Sequence, residues 1–374
     1  MNGIGITQSG GLAVLEKLLK ECLEADVGDK FVFILTNSTL VNSLVSRYQA
    51  YERFEFRFLE TRNYMYRLYF ENVKFKDIVS ESGIDLIYNF TGSAQPYLDC
   101  AQLVKIQNLL FYSKTLNKAY KDNFKFILLV RQVLLKSLFF RFMLRKTKYM
   151  EIQSKHVEGY LSDFINLANK KIFIKSDFDV ADFSIKAPKR YDFSKKIMLL
   201  YIVGPHFETM HKNFSDFTRG MVELIKLGVD FELGITLTKD QLAKSSLWDK
   251  SLDSRTNFYG YLNDPQDIES LFCDNVILVS TSIIETLGLH VLEAIRNGVV
   301  VITPNENYAQ EVYGKKGYSY RLFDMNSLSH TVTDVINDKR IITDKILSQQ
   351  KYIRENEMSK FDSIVGVFRK VLNV

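Results

Sequence analysis

Three residues between positions 285 and 294 have the types and spacing to bind a phosphorylated sugar. The carboxylates of Glu285 and Glu293 can each accept two hydrogen bonds at once, which suits neighbouring hydroxyls such as a ribose diol. Gly288 lies between them and has no Cβ to hold a ligand away from the backbone. At a helix start the first amides lack an internal partner and attract phosphate. The pattern predicts a diphosphate on these amides, a sugar on Glu285 and a ribose on Glu293.

Two apolar runs flank this stretch, Val276-Ile277-Leu278-Val279 before it and Val299-Val300-Val301-Ile302 after it. Both have the length and β-branched content of buried strands. Residues 287–297 between them are predicted to form a helix, which Gly298 ends because glycine readily adopts positive φ. The order strand, loop, helix, strand is one βαβ unit of a parallel sheet. It places Glu285 at the carboxyl end of a strand, where open α/β sheets bind ligands.

The stretch resembles the paired-glutamate signature of retaining glycosyltransferases of the GT-B fold, especially glycosyltransferase family 4, the group 1 glycosyl transferases. The matching string is Ser282-x-x-Glu285-Thr286-Leu287-Gly288-Leu289-x-x-Leu292-Glu293-Ala294. Three positions depart from the family pattern without removing a polar ligand group: Thr281, Leu287 and His290. The resemblance implies an α/β fold with two Rossmann-like domains facing each other across a cleft. Residues 1–185 would form the acceptor domain and residues 190–354 the nucleotide-sugar domain, with a helix at 355–374 packing back on the first.

The resemblance also assigns roles to residues of the second domain. Lys212, near a predicted helix start, matches the lysine that neutralises the donor diphosphate and is expected to be catalytic together with Glu285. Leu289 is expected to bind the donor beside Gly288. Many relatives have an arginine after the glycine that here is Gly204, but this sequence has Pro205. The nucleotide base would be lined by backbone groups around two further residues, Gly260 and Leu262.

Two stretches of the first domain are similar to family positions. A strand is predicted at 3–7, and Gly10 and Gly11 follow it in a glycine-rich turn before a helix. The resemblance places this turn next to the donor phosphates and sugar. Asn108 ends another predicted strand, where the family commonly has an acceptor-side histidine, and is carried over as an acceptor-side residue. A loop-capping asparagine is the other interpretation of Asn108, and it stays open.

Composition limits the class of protein. The 374 residues suffice for two domains, and 46% hydrophobic with 25% charged residues indicates a globular chain. Cys22, Cys100 and Cys273 are isolated, which favours a reducing compartment and gives no metal spacing. The start runs directly into an apolar segment, so we expect a cytoplasmic protein without a signal peptide. The net charge of +5 is too modest to predict a nucleic-acid partner.

Residues 125–155 carry eight lysines or arginines and one acid, Glu151, interleaved with large apolar side chains. Such a basic apolar helix suits an anionic membrane surface, on the inner face of the cell membrane for a peripheral protein. The apolar residues surround the predicted helix instead of forming one stripe, so a core helix with snorkelling cations is an equal alternative.

The resemblance implies transfer of a sugar from a nucleotide diphosphate sugar to a hydroxyl, with retention at the anomeric carbon. The acceptor is expected to be a lipid-linked glycan in bacterial surface polysaccharide assembly such as O-antigen or capsule. No cofactor is expected beyond the donor substrate, and no metal. Two alternatives stay open: a nucleotide-sugar epimerase of the same fold, and a non-catalytic partner subunit of a glycosyltransferase complex.

Overall fold

The structure, a computed structural model, describes residues 1–6, 10–25, 28–60, 64–107, 109–110, 113–123, 125–178, 184–262, 264–338, 340–356 and 361–373. The chain divides into two compact units. The first contains residues 1–112, 127–177 and 358–374, and the second contains residues 113–126 and 178–357. Each is described here by itself.

The first unit is built on a seven-stranded sheet in which every neighbouring pair is parallel. Its strands are β1 (Asn2–Gly3), β2 (Phe31–Thr36), β3 (Phe54–Leu59), β4 (Leu86–Asn89), β5 (Ala101–Ile106), β6 (Tyr149–Ile152) and β7 (Lys171–Ile174). The spatial order is β3-β2-β1-β4-β5-β6-β7. This is the doubly wound order, in which the chain direction across the sheet reverses between β1 and β4.

The second unit repeats this order in a six-stranded parallel sheet, β10-β9-β8-β11-β12-β13. Its strands are β8 (Ile197–Tyr201), β9 (Phe231–Ile235), β10 (Thr256–Phe258), β11 (Val276–Val279), β12 (Val300–Pro304) and β13 (Tyr318–Tyr320). β11 is buried throughout, as its uninterrupted apolar sequence predicts for a strand covered on both faces. The reversal lies between β8 and β11.

Helices cover the sheets. The α-helices are α1 (Gly10–Glu24), α2 (Thr39–Ser46), α3 (Tyr64–Tyr69), α4 (Phe75–Glu81), α5 (Lys114–Asp122), α6 (Phe126–Leu129), α7 (Lys136–Lys146), α8 (Lys155–Ser162), α9 (Phe214–Lys226), α10 (Lys239–Ala243), α11 (Pro265–Ser270), α12 (Leu289–Arg296), α13 (Asn307–Tyr313), α14 (Met325–Asn337), α15 (Ile342–Glu355) and α16 (Ile364–Leu372). π-helical turns at Phe70–Lys74 and Val130–Leu135 join α3 to α4 and α6 to α7, and 3₁₀ turns cover Met210–Lys212 and Lys250–Arg255.

The predicted fold class is confirmed, since both units are Rossmann-like α/β folds with parallel sheets. The βαβ prediction around the paired glutamates is also confirmed, with Gly298 at φ +73° after the end of α12. The strand predicted at 3–7 is wrong in its extent. β1 comprises Asn2 and Gly3, and the chain turns at Gly5, whose φ of +99° is incompatible with a strand.

The continuous helical stretch formed by α6, the π-helical turn after it and α7 is largely exposed and is not a core helix. Ile127, Leu134, Leu138 and Phe142 are all exposed, with Ile127 at 85%, whereas burial begins only near the end of α7 at Met143. Among the described helices, none combines the length and apolarity that crossing a bilayer requires.

Candidate active site

The candidate site lies at the reversal point of the second sheet. The loop after β8 carries Lys212 and the loop after β11 carries Glu285. β8 and β11 are hydrogen-bonded neighbours whose chains leave the sheet at the same edge. In doubly wound sheets this crevice is where ligands bind, because the two loops diverge to opposite faces. The topology therefore brings together two residues that are 73 positions apart in sequence.

Lys212 and Glu285 form an ion pair with Nζ and Oε1 2.6 Å apart. Both side chains are mostly buried, at 26% and 16% exposure. Burial alone would raise the pKa of Glu285, but the charges of Lys212, His290 and His211 and the bond from Lys212 lower it to about 2. Glu285 is therefore an anion at neutral pH, and both members of the pair are charged and oriented before any ligand binds.

Hydroxyl groups hold the Lys212 loop against the Glu285 loop. The carbonyl of Lys212 accepts hydrogen bonds from Thr281 Oγ1 at 2.9 Å and from the Tyr201 hydroxyl at 3.2 Å. The two hydroxyls lie 3.0 Å from each other. The amide of Ile283 donates to the carbonyl of His211 at 2.7 Å. Thr281, a departure from the family pattern, thus has a structural role in fixing the distance between the two charged side chains.

Two tyrosines of α13 hold the same loop from its other side. The Tyr308 hydroxyl donates to the Ser282 carbonyl at 2.5 Å, and the Tyr313 hydroxyl donates to the Leu287 carbonyl at 2.9 Å. Gly288 is the N-cap of α12 at φ +61°, and a Cβ there would lie 2.0 Å from the Tyr313 oxygen. A glycine is therefore required at this position for both backbone and steric reasons.

The start of α12 offers backbone donors beside this pair. The amides of Val291 and Leu292 already bond to the Gly288 carbonyl. Those of Leu289 and His290 precede the first intrahelical bonds and so have no acceptor within the helix. With the positive end of the helix dipole they suit an anionic group. Leu289 contributes through its backbone at this position.

Two histidines line the charged pair as neutral rings. Burial lowers the pKa of His290 to about 4, and the charge of Lys212 lowers it further while Glu285 raises it. Burial and the charges of Lys212 and His206 likewise lower the pKa of His211 to about 4, against the opposing effect of Glu285. His290 Nε2 lies 3.4 Å from the Ser280 hydroxyl. A neutral imidazole at this position supplies a hydrogen bond without adding charge.

Glu293 lies one turn into α12 and is half-buried. Burial and the charge of Glu269 raise its pKa to about 7, although the nearby Arg296 lowers it. No hydrogen bond or ion pair to its carboxylate occurs within the described part of the chain. A carboxylate that has lost water without gaining a partner is disposed to accept hydrogen bonds from a ligand.

Gly260 and Leu262 follow β10 at the same edge of the sheet. β10 pairs with β9, which pairs with β8, so this loop starts about 10 Å from the end of β8, at the usual strand spacing. Gly260 has φ +70°, and its amide donates to the Leu237 carbonyl at 3.3 Å. The structure thus places Lys212, Glu285, Gly288, Leu289, Glu293 and the Gly260 loop along one edge of one unit.

The remaining predicted residues are not part of this assembly. Gly10 and Gly11 form the first turn of α1 in the first unit, so their donor-side role stays a prediction. Asn108 lies outside the described residues, and so its acceptor-side role is also still a prediction.

The structure adds residues that sequence patterns did not identify. Glu306, the N-cap of α13, follows β12 at the edge that carries Glu285, and its Oε2 accepts a 3.4 Å hydrogen bond from Thr115. Burial raises the pKa of Glu306, while Thr115 lowers it. Thr115 belongs to α5, which packs against the 3₁₀ turn that ends at Lys212. Neither Thr115 nor Glu306 belongs to a sequence pattern, and their role became visible only from the tertiary contacts.

Metal ligation finds no support in the described residues, which contain no group of three or more histidines, cysteines or acids arranged to hold an ion. The sequence contains one Asp-x-Asp spacing, which begins at Asp177. The carboxylate oxygens of Asp177 accept hydrogen bonds from Lys105 at 2.5 Å and from Gln153 at 2.6 Å, so this acid is already paired.

Residues 227–356 match the family model of the glycosyl transferases group 1. The matched range contains the paired glutamates and Gly288, whereas Lys212 precedes it. Among curated proteins, none matches this chain in sequence.

Solved structures share the fold at low identity. A sucrose-phosphate synthase from Thermosynechococcus elongatus aligns with a TM-score of 0.63 and 14% identity, over 99% of this chain and 95% of that one. WaaG, a glycosyltransferase involved in lipopolysaccharide biosynthesis, aligns with a TM-score of 0.62 and 14% identity, over 99% of both chains. A putative UDP-N-acetylglucosamine 2-epimerase from Listeria monocytogenes aligns with a TM-score of 0.57 and 9% identity, over 100% of this chain and 96% of that one. The fold is thus the one found in GT-B glycosyltransferases, and a putative epimerase shares it.

Proposed function

We propose that the protein is a retaining glycosyltransferase of family 4 that moves a sugar from a nucleotide diphosphate sugar to a hydroxyl group. The observation that carries this proposal is the Lys212–Glu285 ion pair, which lies at the reversal point of the second sheet beside the start of α12. A cation, free amides and an unpartnered carboxylate along one sheet edge match the diphosphate, sugar and ribose of such a donor. The family match over 227–356 supports it.

The reaction breaks the bond between the sugar's anomeric carbon and the β-phosphate oxygen, and it forms a bond from the acceptor oxygen to the same carbon. Negative charge develops on the leaving phosphate, where Lys212 and the amides of Leu289 and His290 stabilise it. The acceptor's proton passes to that phosphate on the same face of the sugar, which retains the configuration. Glu285 binds sugar hydroxyls, and it is free to do so once Lys212 turns from its carboxylate to the phosphate. In this scheme a lysine, and no metal ion, neutralises the leaving group.

The acceptor in this proposal is a glycan, carried on a lipid, in the assembly of a bacterial surface polysaccharide. Two observations support this setting: the exposed basic and apolar helix of residues 127–146, and the fold shared with a glycosyltransferase of lipopolysaccharide biosynthesis. The helix would rest on the anionic inner face of the cell membrane and hold a cytoplasmic enzyme there. Flotation with anionic liposomes tests this contact.

An epimerase is the second candidate, because a putative nucleotide-sugar epimerase shares the fold. An epimerase converts the nucleotide sugar without any acceptor, whereas the transferase needs one for sustained turnover. A chromatographic assay of donor alone and of donor with acceptor glycan distinguishes the two. A partner subunit without its own activity would bind no nucleotide.

Calorimetric titration of UDP, GDP, ADP and dTDP into the wild type and into Lys212→Ala tests the proposal. We expect one nucleotide to bind best and to lose about tenfold or more in affinity in the variant, the range for a charge-assisted hydrogen bond. Loss of the lysine also leaves Glu285 as an unpaired anion beside the phosphates, which adds repulsion.

Lys226→Ala is the matched control, because Lys226 is an ion-paired lysine of the same unit on the surface of α9. It should bind the nucleotide like the wild type. If none of the four nucleotides bound the wild type, the transferase proposal would be wrong and the partner-subunit alternative would take its place.

A further inference from the structure

A strongly basic depression lies at the amino-terminal edge of the first sheet, where β6 and β7 begin. It is an open cavity of about 510 Å³, and five cationic residues line it: Arg145, Lys146, Lys148, Lys170 and Lys171. The first two end α7, Lys148 precedes β6, and the last two lie at the start of β7. Among the residues that the structure describes, no acid lines this cavity. The depression belongs to the first unit, and no step of the proposed reaction uses it.

Four of these cations have no counter-ion. Arg145, Lys146, Lys148 and Lys171 are exposed, and within the described part of the chain none of them forms an ion pair. Lys148 and Lys171 lie 5.3 and 6.0 Å from the centre of the same ring, that of Tyr149, which places both cations around one aromatic side chain. Like charges held together repel each other, and an anion bound between them relieves that repulsion.

The fifth cation removes an obstacle to anion binding. The carboxyl end of a helix is its negative pole and would repel an anion near the end of α7. Lys170 Nζ donates to the carbonyls of Leu144, Arg145 and Thr147 at 2.8, 2.8 and 2.5 Å, which satisfies the last turn and neutralises this pole. The four free cations therefore act without opposition from the helix.

A neighbouring cavity supplies an independent observation. It has a volume of about 500 Å³ and shares Lys146 and Lys148 with the first cavity. Gln95, which also lines it, is 2% exposed, and within the described residues neither its side-chain nitrogen nor its side-chain oxygen has a hydrogen-bond partner. These unsatisfied atoms make the wall of the second cavity polar, but they are shielded from solvent, so Gln95 is not assigned as a ligand of the anion. Asp99 is an acid at this second cavity, so the anion belongs on the side of the shared lysines.

We propose that this double depression is a binding site for a phosphate group of high charge, a phosphomonoester or a diphosphate, held by Lys148, Lys171, Arg145 and Lys146. Two sources share this chemistry, a lipid headgroup and a soluble phosphate. The surroundings of the site favour a lipid: Phe142 is exposed on α7, and Arg145 and Lys146 follow it at spacings of three and four residues on the same side. The site does not depend on the reaction proposed for the second unit.

The test is a calorimetric titration with three probes: dihexanoylphosphatidic acid below its aggregation concentration, inorganic pyrophosphate, and dihexanoylphosphatidylcholine as a lipid without net charge. All proteins carry Lys212→Ala, so that the phosphate position of the second unit is weakened equally. We expect Lys148→Gln/Lys171→Gln to reduce the affinity for the phosphate probe about tenfold or more, as for the loss of charge-assisted hydrogen bonds. Added salt should weaken binding to the parent protein more than to this variant.

Lys244→Gln/Lys250→Gln is the matched control, because both lysines are exposed and lie in the second unit. Should Lys148→Gln/Lys171→Gln fold poorly, Arg145→Gln/Lys146→Gln gives the same information from the other side of the depression. Binding of phosphatidic acid alone identifies a lipid headgroup, and binding of pyrophosphate alone identifies a soluble anion. If both variants bound both charged probes with affinities within twofold of the parent protein, the proposed binding site would be wrong. Nucleotide binding is measured separately with protein that retains Lys212, and it tests the function proposed for the second unit.

Discussion

The Lys212–Glu285 ion pair holds the two charges that sugar transfer would need. Because the charges compensate each other, keeping them partly buried costs little free energy in the protein without ligand. Each side chain is largely removed from water, and each satisfies the other at 2.6 Å. Removing one partner would leave an uncompensated charge in a partly buried site, which is strongly unfavourable. A ligand with both a phosphate and sugar hydroxyls replaces the pair without that penalty, because it offers an anion to Lys212 and donors to Glu285. This exchange explains why the pair is compatible with binding.

Glu293 gives the site a predicted pH dependence. Its pKa is raised to about 7 by burial and by Glu269, against Arg296. Only the deprotonated carboxylate accepts two hydrogen bonds from a ribose diol, so binding of the nucleotide sugar should strengthen as pH rises through 7. For a pKa near 7 the deprotonated fraction increases about tenfold from pH 6 to pH 8, and affinity should follow.

Calorimetry with the intact nucleotide sugar measures this effect cleanly, because its diphosphate has no ionisation near neutrality. Glu293→Gln should bind more weakly at pH 8 and show a flat profile from pH 6 to 8. His211 and His290 do not contribute, because the pKa of each is about 4. A profile equally steep in Glu293→Gln would show that another group is responsible.

Sequence reasoning identified the charged residues of the site but not the hydroxyls that position them. Glu285, Gly288 and Glu293 stand in one local string whose chemistry can be inferred from side-chain type and spacing. Tyr201 and Tyr308 carry no such signal, because a tyrosine in an apolar strand or helix usually means core packing. Their role depends on which carbonyl each hydroxyl meets, and this is fixed only by the tertiary fold.

The loop between β11 and α12 is the element on which the site depends. Its carbonyls at Ser282 and Leu287 accept bonds from α13, and its residue Thr281 bonds to the Lys212 loop. A loop fixed at both of its sides loses little further conformational entropy when a ligand binds. The rigidity of the site therefore comes from neighbouring elements and not from the loop sequence itself.

Gly288→Ala tests this element. The new Cβ would lie 2.0 Å from the Tyr313 oxygen, so either the hydroxyl or the start of α12 must move. We expect nucleotide binding to be lost and the protein to be destabilised by about 2–4 kcal/mol, because a steric clash adds to the strain of positive φ. Gly288→Ala/Tyr313→Phe removes the clashing oxygen, so it should recover part of the stability in thermal unfolding.

Gly228→Ala separates the two causes. Gly228 has φ +72° in the same unit, but nothing lies within 4 Å of the position of its Cβ. It should lose only about 1 kcal/mol, the cost of positive φ in a residue with a side chain. Equal losses in Gly228→Ala and Gly288→Ala would mean that Tyr313 does not constrain the loop.

Strands were more predictable than the elements between them. The apolar runs at 276–279 and 299–302 correspond to β11 and β12, because buried parallel strands need continuous apolar sequence. The helix predicted at 287–297 is shorter in the structure, where α12 comprises Leu289–Arg296. The π-helical turns that join α3 to α4 and α6 to α7 also have no sequence signal, since they arise from how one extra residue is accommodated within a packed helix.

At the scale of the whole molecule, the chain does not divide into units in simple sequence order. Residues 113–126 are part of the second unit although β5 and β6 on either side belong to the first, and residues 358–374 are part of the first. α16 packs against α1, and Phe368 lies 5.2 Å from Tyr88, ring centre to ring centre. The paired glutamates could be located from a local pattern, whereas the assignment of α5 required its tertiary contacts, such as the hydrogen bond from Thr115 to Glu306.

The exposed helix of residues 127–146 is the surface through which we propose that the molecule contacts a membrane. Leu138 and Phe142 are one turn apart and exposed, and basic residues flank them. In a flotation assay we expect the wild type to rise with vesicles that contain phosphatidylglycerol and to stay behind with purely zwitterionic vesicles, because the cations need an anionic surface. Leu138→Glu/Phe142→Glu should abolish flotation, since two carboxylates would have to enter the headgroup region beside anionic lipids.

Leu347→Glu/Leu372→Glu is the matched control, with two exposed leucines on α15 and α16. Equal flotation of both double variants would show that this helix is not the membrane contact, and the lipid-linked setting would then lack its structural support.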